Sequence, residues 1–304
     1  MNGERKGLDW ALFILLSVIW GSSFILMKES REVLNGYQIG ALRIFSAGLV
    51  FLPVALLQFN QVPRNKLALV VLSGLLGNFL PAFLFALAIE KISSAMEGIL
   101  NSLTPLFVIM IGVAFFGLQV QARKVAGVLM GLAGLILLST SKGLGDGNMA
   151  YAALILLATI CYGINVNVVS KYLQGIPPLA MAAVSLSVLA LLAGAVLWQQ
   201  QVFYMIRYDA GVWPAVGYAC LLGVVGSAVA TALFYLLIKR AGGLFASLVT
   251  YGIPVVAIGW GLVAGEEVGP LQIGCLCLIL AGVWVANGGN ETKKEAAKKE
   301  NQQT

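Results

Sequence analysis

Proline lacks an N–H, so a proline inside a helix leaves the carbonyl four residues back without its helical partner. Pro105 and Pro254 do this within long apolar runs, and the freed carbonyls belong to Asn101 and Thr250. A bare carbonyl beside a polar side chain at membrane depth can hold a polar solute or mark a hinge. A plain packing kink is the competing reading. Glu97 adds a charge to the same face, because Glu97, Asn101 and Pro105 follow one another at four-residue intervals. A carboxylate there is costly unless it meets a wet cavity or a partner. It can contact a substrate amine, exchange a proton, or sit at headgroup level beside Lys91.

Further polar groups lie in other runs. Trp20-Gly21 in "VIWGSSF" corresponds to Tyr162-Gly163 in "ICYGINV". Each pairs an aromatic polar handle with a glycine that admits a close neighbour, which suits a cavity wall. Ser23, Asn165 and Asn167 add hydrogen-bonding groups, and the two asparagines face different ways, so one of them is expected to see the cavity. Asn78 and Tyr251 complete the polar set expected around a solute. Arg43 stands inside "YQIGALRIFSAGLVF". Its expected role is structural, tying helix ends through carbonyls, with substrate contact as the alternative.

Other chemistries find no support. The chain has no histidine, so the commonest metal ligand and general base is missing. Cys161, Cys220, Cys275 and Cys277 lie in apolar runs without CxxC spacing and read as small buried residues. No nucleotide-binding loop, zinc spacing or nucleophile–base pair occurs. Neither a cofactor nor a metal is expected. An enzyme acting on lipid precursors would want paired acid and base groups. Glu266 and Glu267 are adjacent and point about 100° apart on a helix. A channel or receptor is the other competing class.

The elements that position these residues are apolar helices. Hydrophobic residues make up 60% of the chain and charged residues 11%, with mean hydropathy +0.92. That composition belongs in lipid, where backbone groups must be satisfied within each helix. Ten segments reach the roughly 20 residues needed to cross. They run 9–28, 37–58, 67–89, 93–117, 122–141, 150–171, 178–198, 213–238, 243–264 and 270–287. Residues 74 to 105 recur at an offset of 149. Gly74 and Gly77 meet Gly223 and Gly226, Lys91 meets Arg240, and Pro105 meets Pro254. Past the proline the offset drops by one, so Gly117 meets Gly265 and Gly134 meets Gly282. Duplication in an apolar chain predicts two structural repeats, 1–141 and 150–287, followed by a polar tail, 288–304.

The net charge of +6 reflects short loops and the tail rather than a nucleic-acid surface. Of 19 cations, thirteen fall on one side of the ten-segment arrangement, five on the other, and Arg43 within a helix. That bias puts both termini in the cytoplasm and inverts the second repeat relative to the first. The expected partners are a small-molecule substrate and the lipid bilayer, with no nucleic acid. Monomer and homodimer both stay open.

With these motifs in hand, the chain resembles the drug/metabolite transporter superfamily, specifically its EamA group. The resemblance rests on "WGSSF" at 20–24, "LRIFSAGL" at 42–49, "NSLTPLFVIMIG" at 101–112, "GIPVVAIGWGLVAGEE" at 252–267 and "LILAGVWV" at 278–285. It implies a secondary transporter of small metabolites, often amino acids, with alternating access around a central cavity in the plasma membrane. Segments 1, 3, 4, 6, 8 and 9 would wall the cavity, with segments 5 and 10 more peripheral. The resemblance also implies a glutamate after each proline helix. The second half supplies Glu267 as a structural charge, whereas the first half has Gln119 in that place.

Overall fold

The computed structural model describes residues 2–91, 94–141, 149–263 and 270–287. Among these residues the fold is all-helical: α1 (Asn2–Arg31), α2 (Gly36–Gln58), α3 (Leu67–Gly74), α4 (Leu80–Ala88), α5 (Ser94–Asn101), α6 (Thr104–Phe116), α7 (Ala122–Ser141), α8 (Met149–Tyr172), α9 (Pro178–Gln199), α10 (Val202–Tyr208), α11 (Trp213–Gly223), α12 (Ala230–Ala241), α13 (Gly243–Ser247), α14 (Val249–Val263) and α15 (Pro270–Asn287). Six helical stretches are long and apolar enough to cross a membrane, from Lys6–Arg31 to Ala210–Ala241. This is a multi-pass membrane protein. Leu56, Leu57, Phe115 and Leu191 stand exposed on its outside, where lipid is a suitable solvent for them.

Local signals set the helix ends. Asn35 opens α2 with a capping box, its side chain accepting from the Gln38 N–H while Gln38 accepts from the Asn35 N–H. Gly117 closes α6 in the left-handed region at φ 69°, a conformation that favours glycine.

Several expected helices are interrupted. The segment expected at 67–89 contains a π-helical stretch, Leu75–Phe79, between α3 and α4. The one expected at 213–238 contains another, Val224–Val229, and continues to Ala241. The segment expected at 93–117 breaks into α5 and α6 at Ser102 and Leu103. Pro105 therefore lies in the first turn of α6 instead of deep inside a continuous helix. That turn needs no N–H from proline, and proline disfavours helical backbone just before itself. The segment expected at 243–264 breaks at Leu248, while Pro254 stays inside α14. The short helix α10 was not foreseen.

The packing recurs in pairs. Helix α1 packs on α14 as α8 packs on α6; α1 packs on α11 and α12 as α8 packs on α3 and α4; and α2 packs on α11 as α9 packs on α3. Two further contacts, α2 with α9 and α7 with α15, join counterparts to each other. At the α7–α15 contact the backbones nearly touch: a Cβ on Gly282 would lie 2.7 Å from the Gly127 carbonyl oxygen. Lipid gives helices no hydrophobic reason to associate, so close backbone approach through small residues supplies dispersion contacts instead. Cys275 is buried and Cys277 exposed, as two residues about 200° apart on one helix require.

Candidate functional site

A cavity of about 90 Å³ lies where these helix pairs converge. Trp20 and Ser23 of α1 line it, with Tyr162 and Asn165 of α8 opposite. Asn78 comes from the first π-helical stretch, Asn101 from the end of α5 and Thr250 from the start of α14. Seven of the polar residues singled out by sequence thus share one space.

The walls are built from matching parts. Tyr162 stands 142 residues after Trp20, and Phe234 stands 149 after Phe85. Trp20 packs edge-on against Phe234 with centroids 5.3 Å apart, while Tyr162 lies 6.2 Å from Phe85. Trp20 also donates Nε1–H to the Gly226 carbonyl at 3.0 Å. Gly21 and Gly163 admit the close approach expected of them, since a Cβ there would lie 2.8 Å from the Val256 Cβ and 3.0 Å from the Phe107 Cβ. Asn165 occupies the place that a Cβ on Gly77 would take, and its Oδ1 is buried without a partner. Asn167 turns the other way, donating to the Val108 and Gly163 carbonyls at 3.0 and 2.8 Å, and ties α8 to α6.

The π-helical stretches were invisible in the sequence, yet each presents a side chain to a neighbouring helix. Asn78 Oδ1 accepts from the Thr231 hydroxyl at 2.7 Å. Ser227, 149 residues after Asn78, accepts from Arg43 Nε at 2.7 Å. A π turn leaves backbone partners offset by one residue and re-aims the side chains it carries. Apolar and glycine-rich runs offer no periodicity from which to read such a turn.

Both carbonyls freed by the prolines are occupied. The Asn101 carbonyl accepts from the Thr104 hydroxyl at 2.6 Å, and the Thr250 carbonyl from the Ser102 hydroxyl at 3.3 Å. Hydroxyls near the breaks thus replace the lost helical donors, and the second one links the break before α6 to α14.

Two expected residues stand elsewhere. Tyr251 is fully buried away from the cavity, donating to the Val128 carbonyl of α7 at 2.8 Å. Glu97 is also absent from the cavity wall. It is fully buried, and among the described residues neither carboxyl oxygen has a hydrogen-bond partner. The headgroup-level pairing with Lys91 is not seen, because Lys91 is exposed while Glu97 is shut within the bundle. Glu267, with the contrast to Gln119, lies outside the described residues.

Arg43 moves in the opposite direction. Expected at helix ends, it lines the cavity instead, with Ser227 rather than a carbonyl as partner. Its position in α2, beside the second π stretch, was decided by packing between distant segments. Among the described residues no group of His, Cys, Asp and Glu could hold a metal ion.

Comparison with known proteins agrees with this architecture. A solved crystal structure superposes with a TM-score of 0.67 over 92% of this chain and 96% of its own, at 19% identity, a likeness of fold alone. The uncharacterized inner membrane transporter YedA of Escherichia coli K12 is 27% identical over 268 residues, which are 84% of this chain and 82% of that protein. An uncharacterized transporter of Archaeoglobus fulgidus is 23% identical over 279 residues, 91% of this chain and 97% of that protein. WAT1-related protein At3g02690, chloroplastic, of Arabidopsis thaliana is 26% identical over 149 residues; the match takes in 48% of this chain and 36% of that longer protein. The EamA-like transporter family matches residues 8–140 and again residues 149–288, so with a matching fold and an aromatic-walled polar cavity the chain belongs to the EamA-like transporter family.

Proposed function

We propose that this chain moves a small metabolite of amino-acid-like size by alternating access, most readily as an exporter. That it is a secondary transporter of small molecules follows from its family. The ten-segment, two-repeat arrangement is the finer reading. Residues 1–141 and 150–287 form two inverted five-helix halves, and 288–304 form a cytoplasmic tail. Its support is the paired packing, in which the contacts of α1 with α14, α11 and α12 have copies in those of α8 with α6, α3 and α4. The cation bias places both termini in the cytoplasm. The Escherichia coli relative, named as an inner membrane transporter, supports the same membrane here.

The observation that carries this reading is the site of the cavity. It lies where two equivalent pairs of residues from the two halves meet, Trp20 with Phe234 and Tyr162 with Phe85. Rocking one half against the other about such a centre exposes it to each side in turn. The breaks before Pro105 and Pro254 serve as the hinges, because their backbone is already held by side-chain hydroxyls that can be exchanged. Glu97 serves as the coupling group. An ionised carboxyl without partners is expensive in the bundle, so its charge state is tied to whether the adjoining break opens to water.

Reconstitution into liposomes tests the assignment. Saturable counterflow of a labelled metabolite is expected. Linear, non-saturating flux would indicate a channel, and chemical turnover of an added lipid precursor would indicate an enzyme.

A further inference from the structure

We propose that Arg43 anchors a carboxylate of the transported molecule, so that the cavity accepts small organic monocarboxylates with an apolar or aromatic body. The proposal rests on the carrier reading and specifies its substrate class.

Charge is the first observation. Arg43 is the one ionic side chain among the cavity-lining residues described, and no Asp or Glu lines the cavity. Glu97, the acidic residue expected in the site, is shut away outside the wall. A guanidinium carries five N–H donors. Nε–H goes to Ser227, and among the described residues no carbonyl or carboxylate takes the donors on the two terminal nitrogens. An arginine recruited to tie helix ends would spend those donors on backbone carbonyls. This one holds its stem with a single hydrogen bond and keeps its fork unspent.

Energetics gives the second reason. An unneutralised cation at membrane depth is costly, and a bound anion removes part of that cost. Two parallel N–H···O bonds to one carboxylate are the geometry that the guanidinium fork matches best. With one cation present, a monoanion is balanced and a dianionic phosphate is not.

The rest of the wall describes the remainder of the molecule. Trp20, Phe24, Phe85, Tyr162 and Phe234 give it an apolar, aromatic lining. Asn165 Oδ1, buried and unpartnered, is an acceptor available to an N–H. Amino acids therefore qualify through their carboxylate, while amines without an acid group have no ionic partner.

The test uses purified full-length chain and matched probes. Phenylacetate, 4-methylpentanoate and L-phenylalanine are each compared with the corresponding amide and amine by thermal shift. Wild type is expected to be stabilised by the carboxylates and not by the other two forms. Arg43→Gln, checked for monodispersity and for its unliganded melting temperature, loses the response. Arg43→Lys keeps the point charge without the fork. It retains the preference for carboxylate with affinity lowered about tenfold, and it remains informative if the glutamine variant does not fold. The proposal is overturned if amides or amines stabilise wild type as well as the acids do. It is also overturned if no carboxylate stabilises it, or if Arg43→Gln responds like wild type. Counterflow in proteoliposomes with a mixed metabolite pool separates the two levels. Saturable movement of cations or neutral compounds, unaffected by Arg43→Gln, removes the anion assignment and leaves the carrier. No saturable movement of any compound removes the carrier reading and the assignment with it.

Discussion

Trp20 against Phe234 and Tyr162 against Phe85 are one arrangement made twice, from residues at matching positions in the two halves. Gly77 against Asn165 and Gly226 against Ser23 are another. The charges inside the helices, Arg43 and Glu97, are not duplicated. Ser185 stands 142 residues after Arg43, the spacing that separates Trp20 from Tyr162, and it is a fully buried packing residue. Ala246 stands 149 after Glu97 and is likewise fully buried. The contrast separates two demands. A frame that rocks about a centre works best with similar halves, because each state is then built from similar contacts. Recognition of a chemically asymmetric molecule needs different groups at its two ends, and in this chain the described ionic group of the cavity, Arg43, comes from the first half.

Moving the charge across should fail most severely. Ser185→Arg would force a long cation into a site where the Ser185 Cβ already stands 2.6 Å from the place of a Gly74 Cβ. Overpacking combined with an unpaired buried charge costs more than about 4 kcal/mol. Loss of the protein from the membrane fraction is expected on immunoblots. Normal abundance would show that the two sites are more alike than their burial indicates.

Glu97→Gln removes the other asymmetric charge with little change in volume. Normal membrane abundance is expected, with initial rates lowered at least about tenfold and a flattened profile when measured between about pH 5.5 and 8. Wild-type rates across that range would reduce Glu97 to a packing residue.

The duplicated glycines allow a graded comparison. At Gly77 an added Cβ collides with the Asn165 side-chain amide, whereas at Gly226 it would stand 3.1 Å from the Ser23 hydroxyl, which can rotate away. Gly77→Ala should raise KM about tenfold by displacing a cavity-lining polar group, and Gly226→Ala about threefold or less. Equal effects in counterflow would mean that the two walls contribute alike.

The smallest effect is expected at Tyr251, which faces α7 and not the cavity. Tyr251→Phe loses the bond to the Val128 carbonyl and about 1 kcal/mol of stability, seen as a lower melting temperature with KM unchanged. A shift in KM would return this residue to the site.

Much of the site was legible in the sequence because polar residues in apolar helices are few and expensive. Trp20, Ser23, Asn78, Asn101, Tyr162, Asn165 and Thr250 could be picked out on that ground, and they meet in one cavity. Glu97 and Tyr251 satisfied the same criterion and lie elsewhere, because polarity does not say which neighbour a helix face meets: Tyr251 meets α7, and Glu97 is enclosed by the bundle. The break at Ser102 and Leu103 separates Glu97 and Asn101 from Pro105.

Composition, the 149-residue offset and the spacing of apolar runs determined that this chain is a helical membrane protein with an internal duplication. These follow from lipid as solvent, which acts on each segment independently. The direction of each side chain was decided by the tertiary structure. Two π turns re-aimed Asn78 and Ser227, and contact between α2 and the second of them turned Arg43 from an expected helix tie into the cation of the cavity. Such contacts join residues as far apart as 43 and 227, and no local pattern encodes a hydrogen bond formed only when distant helices meet.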